Sequence, residues 1–247
     1  MRTFRIVLFA PLALLRLIFV VFISAYVAVI GWIWLITKGF SNKLQHWVLQ
    51  TWGKSCLFIL GIQMKHNKLP KIENFILMPN HRSYLDIFVV ASLIPATMVS
   101  KAELKNWPMG KLGAKITNLI LVDRSEIKSL IKTMNRIKET VNNGIPVILF
   151  PEGGTYKGPL TKKFKNGSFQ IASQALIPVI PAAINYKDED DAWVGKETFL
   201  PHFFRQMGKP VTKVDIRFGT PVSGNDHKEI QNRVKGQIDD MLGLLQN

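Results

Sequence analysis

Cysteine is almost missing from this chain. With Cys56 alone, no disulfide can form within it, which fits a reducing compartment. Metal-ligand spacing is missing too. His46, His66, His202 and His227 are scattered, so no metal site is expected. Acidic side chains are scarce: Asp and Glu total 17 against 32 Lys and Arg, a formal charge of +15. That balance points to anionic partners. Nucleic acid is not the expected one, because zinc spacing and an RNP-like run are both absent. There is no internal repeat, no low-complexity tract and no G-x-S-x-G serine elbow. Ser125-Glu126-Ile127-Lys128 matches S-x-x-K by letter only.

Long apolar runs, by contrast, are present. From Leu17 to Ile36 no residue is charged, and the apolar character begins at Ile6, interrupted by Pro11 and Arg16. Such a run can span a hydrocarbon core of about 30 Å. It is too long for a secretory signal, and no A-x-A site follows. Arg2 and Arg5 before it and Lys38 and Lys43 after it leave the positive-inside rule without a direction. A second segment, Leu44 to Ile62, sets Trp47, Val48, Trp52, Leu57, Phe58 and Ile59 among Lys43, His46, Gln50 and Lys54. It reads as an amphipathic helix with interfacial tryptophans. The two helices, joined near Gly39, predict a hairpin lying in one leaflet, preferred over a single span. Residues 1–62 are thus expected to anchor a domain over 63–247.

Beyond Lys65, short apolar runs alternate with helical stretches. Strands are predicted at Phe75–Met78, Thr97–Val99, Asn118–Val122, Val147–Phe150, Val179–Ile184 and Val211–Phe218. Helices are predicted at Ser83–Leu93, Glu126–Val141, Gly167–Gln174 and Asp226–Leu245. Alternation of this kind argues an α/β layered domain, a mostly β-sheet core flanked by helices.

His81 follows the strand that ends in Pro79-Asn80, which puts it at a C-terminal sheet edge, where ligands bind in open α/β sheets. Ser83 is a suitable N-cap and Asp86 stands at the capping-box position, so the helix is expected to start at Tyr84. With His81 outside that helix, the chain can fold back and bring the Asp86 carboxylate to one imidazole nitrogen. A carboxylate so placed fixes the tautomer and stabilises the imidazolium. With no nucleophilic side chain alongside, the pair would activate a hydroxyl of the substrate itself.

Four blocks follow in order: Asn80-His81-Arg82-Ser83-Tyr84-Leu85-Asp86, then Leu121-Val122-Asp123-Arg124, then Phe150-Pro151-Glu152-Gly153, then Ile177-Pro178 through Ile184. Together they resemble the glycerolipid acyltransferases that include the 1-acyl-glycerol-3-phosphate acyltransferases, with the N-H-x-x-x-x-D motif first. The resemblance covers about residues 75 to 220. It implies transfer of a fatty acyl group from acyl-CoA or acyl carrier protein, as co-substrate and not as bound cofactor, to the sn-2 hydroxyl of 1-acyl-glycerol-3-phosphate. Phosphatidic acid would be the product. His81 would be general base, Asp86 its orienter, and Arg124 the holder of the acceptor's phosphate. Glu152, Gly153 and Gly154 would line the acceptor site. The expected location is a membrane, with the domain on the cytoplasmic face (the inner membrane in a bacterium). One departure stands out. The family continues E-G-T-R-S, whereas this chain reads Glu152-Gly153-Gly154-Thr155-Tyr156-Lys157. Lys157, Lys162, Lys163 or Lys165 would supply the missing positive charge, or the acceptor carries a different head group. A lipid-binding protein without catalysis is the alternative of another class.

Overall fold

The computed structural model describes residues 2–106, 110–123, 127–195 and 197–246, with backbone only for 2–8, 127, 128 and 130. Helix α1 (Arg2–Lys38) runs unbroken through Pro11 and Arg16, and Gly39 at φ +73 turns the chain into α2 (Asn42–Ile59). Ser41 caps α2 through the Leu44 N–H at 3.2 Å. Strands β1 (Ile62–His66) and β2 (Ile76–Pro79) precede α3 (Asp86–Leu93) and β3 (Thr97–Lys101). Then come α4 (Gly110–Ile116), β4 (Ile120–Val122), α5 (Ile127–Asn142) and β5 (Val147–Ile148). The chain closes with α6 (Asn166–Ala175), β6 (Val179–Tyr186), α7 (Phe199–Met207), β7 (Thr212–Phe218) and α8 (His227–Gln246).

The strands form one sheet in the order β1-β7-β6-β2-β5-β3-β4. Among these strands β6–β7 is the antiparallel pair, and an isolated antiparallel bridge joins Val179 to Val222. Strand β2 is the middle one, parallel to β5 on one side and β6 on the other. All four of its residues are buried, because helices cover both faces. On one face α2, α3 and α7 bring Leu49, Cys56, Val89, Val90 and Phe203 to Leu77 and Ile148. On the other, α5, α6 and α8 bring Ile137, Phe169, Val234 and Ile238 to Ile76 and Met78. The expected α/β layering is what the structure has.

The N-terminal helices are not a detached anchor. Buried positions of α1 recur at Ala13, Arg16, Val27, Ala28 and Gly31, a single helical stripe, while Leu14, Ile18, Phe22, Val29, Ile33 and Ile36 face outward. Arg16 is 7% exposed and is satisfied in that apolar setting. Its Nη1 donates to the Met207 and Lys209 carbonyls at 2.7 and 2.5 Å, and Nη2 to the Pro210 carbonyl at 2.9 Å. These are carbonyls at and beyond the end of α7, where a cation also meets the negative end of the helix dipole. Among the described residues α1 is the one helix long and apolar enough to cross a membrane.

Three elements depart from expectation by addition: β1, α4 and α7. Helix α2 also ends at Ile59, so Ile62 opens β1 and does not close the helix.

Candidate active site

Two adjacent parallel strands deliver the site. Strand β2 leads into Asn80-His81, and β5 leads into Phe150-Pro151-Glu152-Gly153. Asn80 is fully buried and replaces a stretch of ladder after Pro79, which has no N–H to give. Its Nδ2 donates to the Ile184 carbonyl at 3.0 Å, and its Oδ1 accepts the Ile184 N–H at 2.6 Å. That pairing holds the end of β2 against β6 and fixes where His81 leaves the sheet.

His81 Nδ1 lies 2.7 Å from Asp86 Oδ2. The same oxygen accepts the backbone N–H groups of Arg82 at 2.7 Å and Ser83 at 3.0 Å. The Tyr186 hydroxyl donates to Oδ1 at 2.7 Å. An ionised carboxylate can only accept, so Nδ1 carries its proton toward Asp86 and Nε2 keeps its lone pair. The His81 side chain is 18% exposed and Asp86 is 0% exposed. The Phe150 ring stacks on the imidazole, centroids 4.1 Å apart. The predicted fold-back of Asp86 onto His81 is therefore present.

The predicted cap is not. Helix α3 starts at Asp86, with Leu85 at the cap position. The Ser83 Oγ is buried without a hydrogen-bond partner. Residues 81–83 wrap around the Asp86 carboxylate, and that curl takes the turn before Asp86 out of the α-helix. Only half of a capping box forms, the half in which the acidic side chain accepts the Ser83 N–H.

Glu152 is 2% exposed and both its oxygens serve backbone: Oε2 accepts the His81 N–H at 2.9 Å, Oε1 the Lys162 N–H at 3.1 Å. Burial pushes its carboxyl above the ordinary range, against the opposing pull of those two N–H groups and of Arg82 and Lys162. Gly153 turns the chain at φ +70, a conformation that favours glycine, and its N–H reaches the Phe150 carbonyl at 3.1 Å. A Cβ on Gly154 would meet the Lys162 Nζ at 3.7 Å, so that ammonium lies over the loop. Arg82, also buried, staples the same loop: its Nη1 donates to the Tyr156 carbonyl at 2.9 Å, while the Tyr156 N–H reaches the His81 carbonyl at 2.8 Å. Lys157 Nζ sits 3.5 Å from Glu189 and 3.8 Å from Asp190. Arg124 lies outside the described residues; β4, which precedes it, ends at Val122 on the same sheet edge as β3's Lys101.

The site thus brings His81, Asp86, Glu152 and Gly153 together, with Lys157 at the rim beside an acidic loop. Sequence reasoning missed Asn80 as a ladder substitute, Phe150 as a ring partner and Tyr186 altogether. The proline before Asn80 was a usable signal. Tyr186 had none, being 100 residues from Asp86. Among the described residues no group of three or more His, Cys, Asp or Glu could hold a metal ion.

A protein-family model described as Acyltransferase matches residues 62–185, the stretch that carries β1 to β5, all of β6 but its last residue, and every motif above. The chain belongs to the Acyltransferase family. It is 27% identical to the lyso-ornithine lipid O-acyltransferase of Rhizobium meliloti, covering 81% of this chain and 76% of that protein. It is 32% identical to the 1-acyl-sn-glycerol-3-phosphate acyltransferase of Neisseria gonorrhoeae, over 61% of this chain and 58% of that one. The crystal structure of the 1-acyl-sn-glycerophosphate acyltransferase PlsC from Thermotoga maritima has the same fold, with a TM-score of 0.73 and 22% identity, covering 99% of this chain and 98% of that one. The acyltransferase fold and the enzyme class expected from the motifs are thereby established.

Proposed function

We propose that this acyltransferase esterifies the sn-2 hydroxyl of 1-acyl-glycerol-3-phosphate with a fatty acyl group from acyl-CoA or acyl carrier protein, giving phosphatidic acid. The observation that carries the reading is the 2.7 Å contact of His81 Nδ1 with Asp86, which leaves Nε2 as a base at the open edge of the sheet. His81 Nε2 takes the hydroxyl proton as the oxygen attacks the thioester carbonyl. The C–S bond then breaks, and the imidazolium returns the proton to the leaving thiolate. Asp86 stabilises the imidazolium in between. Arg124, with lysines of the 157–165 loop, would hold the phosphate by charge-assisted hydrogen bonds.

A second acceptor reading has its own support. Thr155 stands where the family motif has arginine, and the relative from Rhizobium meliloti named for lyso-ornithine lipid aligns over 81% of the chain. An acceptor with an amino-acid head group would not need that guanidinium.

The exposed apolar face of α1 supports residence on a membrane, and soluble thioester donors support the cytoplasmic face. The hairpin reading is preferred to a span because α1 lies along the domain. Arg16 is tied to the end of α7, and a Cβ on Gly31 would touch Ile116 of α4 at 3.2 Å.

The test is turnover of purified protein on both lyso-lipids with both thioester donors. Phosphatidic acid formation is expected, with kcat falling by about 10²–10⁴ in His81→Ala. A tenfold or greater preference in kcat/KM for the lyso-ornithine lipid would move the assignment to the second acceptor. Undiminished turnover in His81→Ala would remove the base from the mechanism.

A further inference from the structure

Tyr186 closes β6 and is 6% exposed. Its hydroxyl donates to Asp86 Oδ1 at 2.7 Å. The other carboxylate oxygen is occupied by His81 Nδ1 and by the N–H groups of Arg82 and Ser83. Three of the four recorded donors thus come from the motif itself, and the fourth arrives from the neighbouring strand. For filling space against Leu85, Val89 and Ile184 in the same core cluster, a phenylalanine would serve as well. What the tyrosine adds is one O–H, aimed at a carboxylate that water does not reach.

We propose that Tyr186 is a positioning residue for acyl transfer: its hydroxyl fixes the rotation of the Asp86 carboxylate and draws negative charge toward Oδ1, setting the basicity of His81 Nε2. The inference rests on the reading of His81 as general base. A carboxylate held at both oxygens cannot swing Oδ2 away from the imidazole. A carboxylate whose charge is shared with a phenol also pulls less strongly on an imidazolium. Burial and the adjacent Asp86 push the Tyr186 phenol well above its ordinary range, so it remains a donor across the working pH.

The test uses full-length protein and kcat/KM against pH. In Tyr186→Phe, kcat is expected to fall about tenfold with the acceptor KM within about twofold, and the acidic limb to move up by about half a pH unit or more as His81 grows more basic. Incorporating 3-fluorotyrosine at 186 keeps the shape and strengthens the donor, so the acidic limb is expected to move down. In an Asp86→Asn background, Tyr186→Phe is expected to change the residual rate little, because the two act as a unit. A purely structural role would lower the yield of folded protein and leave the limb where it was. An unmoved limb in both variants overturns the proposal, as does the same fold-loss in the Asp86→Asn background. Should Tyr186→Phe not fold, the fluorotyrosine arm decides alone. A fully active His81→Ala sinks the underlying function instead. An inactive His81→Ala beside a normal Tyr186→Phe sinks this inference only.

Discussion

Asp86 and Asp191 are 0% and 1% exposed, and their surroundings differ in kind. Asp86 receives hydrogen bonds from a ring, a phenol and two backbone amides, so its oxygens exchange water for fixed donors. Asp191 is held against the Lys209 ammonium, which Asp188 shares at 2.6 Å. Burial pushes the Asp191 carboxyl from 3.8 up to about 6 in spite of that ammonium. Lys209 is itself partly desolvated, yet Asp188 and Asp191 together hold its ammonium above the ordinary lysine range. Asp191 is almost wholly buried, and desolvation of its carboxylate outweighs the ammonium. The folded state then binds the proton more tightly than the unfolded chain. The stabilisation is full below about pH 4 and is lost as pH rises through about 6. Asp191→Asn should therefore flatten stability over that window. The wild type would lose up to about 3 kcal/mol relative to the variant between pH 4 and 6.5. Chemical denaturation of both proteins at several pH values checks it, and parallel curves would contradict it. The Asp191 loop abuts the site, since the Trp193 backbone N–H donates to the Arg82 carbonyl at 2.9 Å.

Helices α2 and α3 cross where Gly53 lies against Ala91 and Ser92. A Cβ there would stand 2.6 Å from the Ser92 nitrogen and 2.9 Å from the Ala91 carbonyl carbon. Backbone cannot retreat as a flexible side chain can, so Gly53→Ala must pry the helices apart. It should cost about 1–3 kcal/mol and lower turnover as well, because α3 carries Asp86. A denaturation midpoint equal to wild type would show that the crossing relaxes freely. This contact was invisible in the sequence, which places Gly53 inside an amphipathic helix and says nothing of what it packs against. What was legible rested on period and punctuation. Short apolar runs marked β2, β5, β6 and β7, helical stretches marked α5 and α8, and α5 ends where Gly144 takes φ +77. What was missed depends on partners far along the chain. Strand β1 is half exposed and finds its place by pairing in parallel with β7. Helix α4 begins at one glycine and contains another, and packs through Ile116 against the N-terminal hairpin. Helix α7 is dense in aromatics, and its Phe203 and Met207 are buried in the core that α2 and α3 share. At the site, Asp86 with His81 was readable because both belong to one short motif. Tyr186 and the Ser83 outcome were not, since the carboxylate's full set of donors decides them.

Helix α1, at 37 residues, is about 56 Å long, more than enough for a hydrocarbon core of about 30 Å. On the proposed hairpin arrangement it does not use that length to cross, and its attachments support that reading. From Arg16, fastened at α7, to Gly31, packed on α4, the helix rises about 22 Å along the domain. If α1 stood upright in a bilayer, α4 and α7 would enter the hydrocarbon with it, carrying exposed Lys111 and Lys115. Each such charge costs about 2.5–3.5 kcal/mol near the centre of the membrane. Laid flat, the same helix immerses Leu14, Ile18, Phe22, Val29 and Ile33 and leaves those lysines to the head groups. On the proposed function, that face would meet the leaflet from which the lyso-lipid is drawn. A membrane-impermeant maleimide distinguishes the two arrangements. Cys56 is 0% exposed, so it gives little background. Arg2→Cys and Lys228→Cys should both label from the same side of sealed vesicles, and alkaline carbonate should leave the protein in the membrane. Labelling of Arg2→Cys only from the side opposite Lys228→Cys would require α1 to span, and its packing on α4 and α7 would then have to open in the bilayer.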